Sequence, residues 1–260
     1  MVDNIFPSKL PAIIINSDHD RNQSFIRQLA PSMKVIQLDK VKGTDIDIDD
    51  PKIVGSNAYN TIIKGAKSLY DYASLDEVGD TLTHLKAWYA ILDSGAPAAW
   101  VFSNDINIPS GFFDKVDVAY KMYPLMDAYS QWDLWLFNYS GLIDTMPAPV
   151  FGKDMLLVEE FRGMYAYMIT RGAILRMLPH VLPTESKVDF FVNMSILRSG
   201  INVIFVNGIT VEPATGMLLE RFALPRNSRK KKPYTRKRMT ALGIIFVILA
   251  TIYFIKEKKN

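Results

Sequence analysis

The chain has 260 residues, is 49% hydrophobic and 22% charged, and carries a net charge of +3; this composition excludes a disordered chain and suits a large α/β domain. It has no cysteine and only three histidines, His19, His84 and His180, which excludes disulfides and thiolate metal sites, argues against a His-rich zinc centre and fits a cytosolic setting. The charge is split: from Arg226 onward there are eleven basic residues and one acid, leaving residues 1–225 with nineteen basic against twenty-six acidic, a net of −7, so the body lacks the basic face that nucleic-acid binding requires.

The first apolar run, PAIIIN (11–16), ends in the polar cluster SDHDRNQS and predicts a strand followed by a helix from about Ser24. KVIQLDKV (34–41) predicts a second strand. The acidic stretch TDIDIDDPK (44–52) has spaced aspartates but lacks the central glycine and terminal glutamate of a calcium loop, and predicts a solvated loop. Leu75, Val78, Leu82, Leu85, Trp88, Tyr89 and Leu92 recur at helical spacing, and Ser94-Gly95 closes that helix because glycine suits the left-handed position after a C-terminus.

PAAWVFS (97–103) predicts the next strand. Its apolar run stops at Ser103-Asn104-Asp105 and resumes at Ile106 and Ile108, so a small polar triplet stands at the carboxyl end of a buried strand. A helix follows around 114–129, a strand at WDLWLFNY (132–139), a proline-rich loop, and a strand at MYAYMIT (164–170) leading into the helix RGAILRMLPHVL. VDFFVNMSILRSG (188–200) predicts a helix closing on Gly200, INVIFVN (201–207) a late strand, and 208–225 irregular chain. Strands alternating with helices imply an α/β sandwich with a mostly parallel sheet, in which ligands collect at the carboxyl ends of strands.

The tail predicts a membrane anchor. Met239 to Ile255 is an uncharged run of 17 residues, spanning roughly 25 Å as a helix, at the short end for a bilayer. Lysines and arginines at both ends snorkel to close the gap. Seven basic residues in Arg229–Arg238 outnumber those beyond the span, which predicts a cytosolic body and a single C-terminal anchor, and the basic segment is suited to anionic headgroups. The N-terminus carries no secretory h-region. The expected organisation is a domain over 1–225, a basic linker over 226–238, a transmembrane helix over 239–255 and a short basic tail over 256–260.

Several segments, taken in order over roughly residues 10–195, resemble glycosyltransferase family 25, the lipopolysaccharide-biosynthesis and procollagen galactosyltransferase group. AIIINSDHDR (12–21) is similar to the family's opening strand, with Asn16 and Arg21 matching. LDKVKGTD (38–45) looks like its second strand and the glycine after it. EVGDTLTHLKAW (77–88) resembles its Glu-Ile-Gly-Cys-x-x-Ser-His segment at Gly79, His84 and Trp88, with Asp80 and Thr83 replacing the cysteine and serine. AAWVFSND (98–105) aligns with the strand ending in Glu-Asp-Asp, and QWDLWLFN (131–138) with a Trp-Asp strand. FRGMYAYMITRGAILRML (161–178) resembles the strand–helix junction, and KVDFF (187–191) is similar to a downstream Val-Asp.

The resemblance implies a GT-A-like, Rossmann-like fold and transfer of a hexose, with inversion, from a nucleotide-sugar, a UDP-sugar by preference, to a glycan, lipid or protein acceptor. It implies Asp105 as ligand of Mn²⁺ or Mg²⁺, an ion that would offset the charge of the departing diphosphate. It places Asn16, Arg21, His84, Ser103 and Asn104 at the donor, and Asp189 and Asp133 as catalytic carboxylates. The family's Glu-Asp-Asp is here Ser103-Asn104-Asp105, so two carboxylates are lost and the metal site is weakened. Each residue has a plainer alternative. Asp105 caps a turn; His84 orders the sheet edge; Asp133 sits in a structural ion pair; Asp189 complements a helix dipole; Arg21 is a surface residue. Trp100, Trp132 and Trp135 are expected in the core. Two functions therefore stand: a tail-anchored transferase facing the cytosol, or a non-catalytic descendant kept as a membrane-anchored structural component, for example in the virion membrane of a large DNA virus.

Overall fold

The computed structural model describes residues 6–16, 19–29, 31–68, 70–103, 105–122, 132–138, 143–147, 155–206 and 208–213, with backbone alone at 16, 19–22, 122, 143–147 and 213. The chain divides into Met1–Glu220 and Arg221–Asn260. Among the described residues no helix is long and apolar enough to cross a membrane; the predicted span 239–255 lies outside them.

The first half alternates strand and helix: β1 (Ala12–Asn16), α1 (His19–Ile26), β2 (Val35–Asp39), α2 (Ser56–Lys64), α3 (Leu75–Ser94), β3 (Ala98–Ser103), β4 (Ile106–Asn107) and α4 (Phe112–Met122). The second half contains β5 (Leu134–Leu136), β6 (Ile143–Pro147), β7 (Met155–Phe161), β8 (Ala166–Thr170), α5 (Arg171–Met177), α6 (Val188–Ser199), β9 (Val203–Val206) and β10 (Glu212–Pro213). Eight strands form one sheet in the order β2-β1-β3-β8-β5-β9-β7-β6. The ladders give six strands one direction and reverse only β7 and β8.

Alternation along the strands separates two apolar layers. Ala12, Ile14, Trp100, Phe102, Trp135 and Met168 face one side, where Phe25 and Leu29 at α1 and Phe112 and Val116 of α4 cover them. Ile13, Ala99, Val101, Leu134, Tyr167 and Ile169 face the other, under α3, α5 and α6. Trp100, Trp132 and Trp135 are all buried, as the sequence predicts; Trp100 also donates from Nε1 to the Pro7 carbonyl at 2.8 Å.

α3 is the helix the pattern predicts. Asp76 and Glu77 occupy its first turn, where carboxylates oppose the helix dipole, and Gly95 closes it at φ 71°. Gly79 lies where α3 passes the chain leaving β2: a Cβ there would come within 2.2 Å of the Val41 carbonyl oxygen. The Val41 N–H donates to Thr83 Oγ1 at 2.9 Å, one turn further on. α6 likewise closes on Gly200, at φ 60°.

Several expectations are corrected. α1 begins at His19 rather than near Ser24, because its first turn is wholly polar in sequence and only Phe25 and Ile26 carry a helical signal. The expected proline-rich loop contains β6 and β7, paired antiparallel with a register shift at Asp144/Thr145. The two prolines and the Glu159-Glu160 pair conceal that hairpin. α4 starts at Phe112, and residues 123–129 of the expected helix lie outside the described residues. The strand expected over 132–139 is only Leu134–Leu136. The acidic loop carries two local turns, with Asp47 and Asp50 accepting backbone N–H groups two residues on.

Candidate functional site

β1 lies between β2 and β3, with the β1–β2 connection through α1 covering one face of the sheet and the β2–β3 connection through α3 covering the other. The crevice outside the carboxyl ends of strands at such a switch point is where ligands bind in open α/β sheets. Here it is a cleft of about 290 Å³. Its walls come from the ends of β1 and β3 (Ile15, Ser103, Asp105), the chain after β2 (Lys40), α3 (Glu77, Asp80, Thr81, Thr83, His84), the β7–β8 connection (Gly163, Met164, Tyr165) and the start of α6 (Lys187, Val188, Asp189).

Ser103 ends β3 and Asp105 directly precedes β4. The apolar residues after it, Ile106 and Ile108, return to the core beside Phe102. Ser103 donates its N–H to the Tyr165 carbonyl at 2.7 Å, and its Oγ accepts the Asp105 N–H at 3.4 Å. Asp105 is exposed and lines the cleft. Asn104 lies outside the described residues, as do the side chains of Asn16 at the end of β1 and Arg21 in α1.

Three further acids line the cleft. Asp80 pairs with Lys40 at 2.6 Å. Glu77 pairs with Lys187 at 2.8 Å and accepts the Ala73 N–H at 2.5 Å. Asp189 accepts the Gly163 N–H at 2.9 Å and the Phe190 N–H at 2.8 Å, so it ties the β7–β8 connection to the N-terminus of α6. His84 is buried on the cleft's inner wall. Its Nδ1 lies 2.9 Å from the Tyr167 hydroxyl, which also accepts from Trp88 Nε1 at 3.1 Å. Burial, which penalises the charged ring, pulls its pKa down from 6.5 to about 4. Burial pushes the Tyr167 hydroxyl far up, so it stays protonated.

Asp105, Ser103, His84 and Asp189 therefore meet at one crevice, and Asp133 does not. Asp133 precedes β5 at the opposite edge, where its carbonyl accepts the Thr170 N–H and Thr170 pairs with Ala98, the first residue of β3. Five residues of strand separate that edge from Ser103, roughly 17 Å. Its carboxylate is buried, ion-paired with Arg176, and accepts the Asn202 N–H at 2.9 Å. The expected catalytic role for Asp133 is corrected to a structural one: a buried carboxylate needs partners, and these are Arg176 and the turn into β9.

For Mn²⁺ or Mg²⁺ the donor chemistry is poor. Two of the four acids are held by lysines and a third by backbone N–H groups, and among the described residues no three His, Asp or Glu converge as a ligand set. The described residues do not fit a preformed divalent site. Sequence reasoning missed the two lysines and Tyr165, an aromatic 39% exposed on a loop at the cleft. Lys40 and Lys187 carry a weak signal, a basic residue just after a strand or before a helix; Tyr165 carries only its place before a buried strand.

The geometry defines an α/β domain with a polar crevice at its topological switch point. No protein-family model and no curated protein matches the chain. Thirty-nine solved chains match in structure. One is apo UDP-glucose pyrophosphorylase, at 8% identity and a TM-score of 0.38, covering 80% of this chain and 76% of that one. At that score the likeness says nothing of what this chain binds.

Proposed function

We propose that the protein is a glycosyltransferase-like enzyme that takes a nucleotide-sugar, a UDP-hexose by preference, in the β1/β3 crevice and passes the hexose to a glycan, lipid or protein acceptor. One observation carries the reading: an exposed Asp105 stands with Asp189, His84 and two lysines around a single open cleft at the switch point. Lys40 and Lys187 are the groups to meet the diphosphate, exchanging their carboxylate partners for phosphoryl oxygens. Asp105 and Ser103 face the donor. Asp189 is the base: its carboxylate has lone pairs beyond the two it gives to backbone N–H groups. In the transfer, the acceptor oxygen bonds to the anomeric carbon while the bond from that carbon to the diphosphate oxygen breaks. The acceptor's proton goes to Asp189, and the nucleoside diphosphate leaves with the electron pair.

The basic segment 226–238 and the apolar run 239–255 extend the proposal to a membrane-tethered enzyme with its domain on the cytosolic side. A second reading, binding without transfer, is favoured by the internal engagement of Asp80, Glu77 and Asp189. Calorimetry of the full-length chain in detergent with UDP-glucose, followed by an assay for released UDP, separates the two. Heat together with UDP release that Asp189→Asn abolishes supports the enzyme. Heat with no release leaves a binding protein. No heat with any UDP-hexose sinks both.

A further inference from the structure

One donor of the cleft is set by a relay that begins in the core. Trp88 and Tyr167 are fully buried, and the Trp88 Nε1–H donates to the Tyr167 hydroxyl at 3.1 Å. That hydroxyl lies 2.9 Å from His84 Nδ1, with the two rings stacked at 5.7 Å. An indole N–H only donates, so the tyrosine oxygen is the acceptor there and its own proton needs another acceptor. In a buried site that proton does not go unused, and Nδ1 is what it meets. The ring's remaining proton then sits on Nε2. Among the described residues Nε2 has no hydrogen-bond partner, and the buried polar side-chain atom left unsatisfied there is Trp135 Nε1, not His84 Nε2. The His84 Nε2–H therefore opens on the cleft that its residue lines.

We propose that His84 is a fixed, uncharged hydrogen-bond donor that presents Nε2–H to a phosphoryl oxygen of the bound ligand, with Trp88 and Tyr167 as its positioning residues. The proposal rests on the nucleotide-sugar reading of the cleft. Lysines entering from the end of β2 and the start of α6 give the same cleft two cations, which suits an anionic ligand. The charged residues that line the cleft with His84 are Glu77 and Asp80 from its own helix, Lys40, Asp105, Lys187 and Asp189. Glu77 and Asp80 are paired with those lysines, and burial outweighs what remains in keeping the ring neutral.

The test is long-range proton–nitrogen NMR of the full-length chain in micelles with labelled histidine rings, His84 being assigned by the signal that His84→Gln removes. The expected result is the Nε2–H form, with no titration between pH 8 and 5.5. An Nδ1–H form, or a midpoint within that window, overturns the proposal. Inorganic pyrophosphate and UDP-glucose are then added separately. A shift of the His84 Nε2–H with both supports the donor and the cleft reading; a shift with pyrophosphate alone supports the donor and rejects the nucleotide-sugar; a shift with UDP-glucose alone supports both; no shift with either overturns the donor. Tyr167→Phe is expected to let the Nδ1–H form appear and to weaken the ligand roughly threefold to tenfold. Should that variant not fold, His84→Gln, which keeps an amide donor, must bind more tightly than His84→Ala; equal binding overturns the proposal.

Discussion

Asp105 and Asp133 are both aspartates beside a strand of the same sheet, and they stand at opposite edges of it. Asp105 follows β3 at the carboxyl edge, is exposed and lines a cleft. Asp133 precedes β5 at the other edge, is buried, and is held by Arg176 and the Asn202 N–H. The difference lies in which end of the strand the acid occupies, since β3 and β5 run the same way. The acid after β3 lines the cleft at the switch point. One before a strand is met by the helix that follows β8 and by the turn into β9. The position that looks more unusual in sequence, an acid inside an apolar strand, is the structural one.

The comparison breaks most readily on stability. Asp133→Ala removes the partner of Arg176 and the acceptor of the part-buried Asn202 N–H; because Arg176 is half-exposed and can rehydrate, the expected loss is about 2–3 kcal/mol in urea unfolding rather than the larger cost of a sealed pair. UDP-glucose affinity of the folded fraction should not change. A fall in affinity with unchanged stability would return Asp133 to the site. Gly79→Ala should cost about 2 kcal/mol, because the added methyl meets backbone that has to move; an unchanged melting temperature would mean that α3 does not sit against Val41.

The pH dependence sharpens the cleft side. His84 has a folded pKa of about 4, below its ordinary 6.5, so between these values the unfolded chain binds the proton and the folded one does not. Stability from this residue is intact above about pH 6.5 and falls by ~1.4 kcal/mol per unit below it. From pH 6.5 to 5 the wild type should therefore lose about 2 kcal/mol more than His84→Gln, measured by urea unfolding at both pH values; equal losses would show that the ring charges freely. Next is Asp105→Asn, expected to lower UDP-glucose affinity or turnover about tenfold, ~1.4 kcal/mol. The smallest effect is on the same variant's stability, within about 0.5 kcal/mol, as for an exposed residue away from structural features. A larger destabilisation with intact binding would make Asp105 a turn-capping residue and take it out of the ligand site.

Much of the fold was legible because its signals are local. The helical stripe from Leu75, the glycines that end α3 and α6, and the alternation in Ala98–Ser103 each report on a few neighbouring residues. The β6–β7 hairpin was not legible, since its pairing is made across a proline-rich stretch and against β9. The crevice was half legible. Ser103, Asp105, His84 and Asp189 could be named from a resemblance. The pairs Lys40–Asp80 and Lys187–Glu77 join residues far apart in sequence, and no periodicity marks a partner that only the fold supplies.

The small ladder beside the crevice carries a mechanical implication. Glu212 and Pro213 pair with Asn107 and Ile106, directly after the Asp105 turn, and Val211 is stitched on both sides, its N–H to the Phe137 carbonyl and its carbonyl to the Asn138 amide. These two rungs fasten the chain at 212–213 to the strand that follows Asp105, so whatever loosens them loosens one side of the crevice as well.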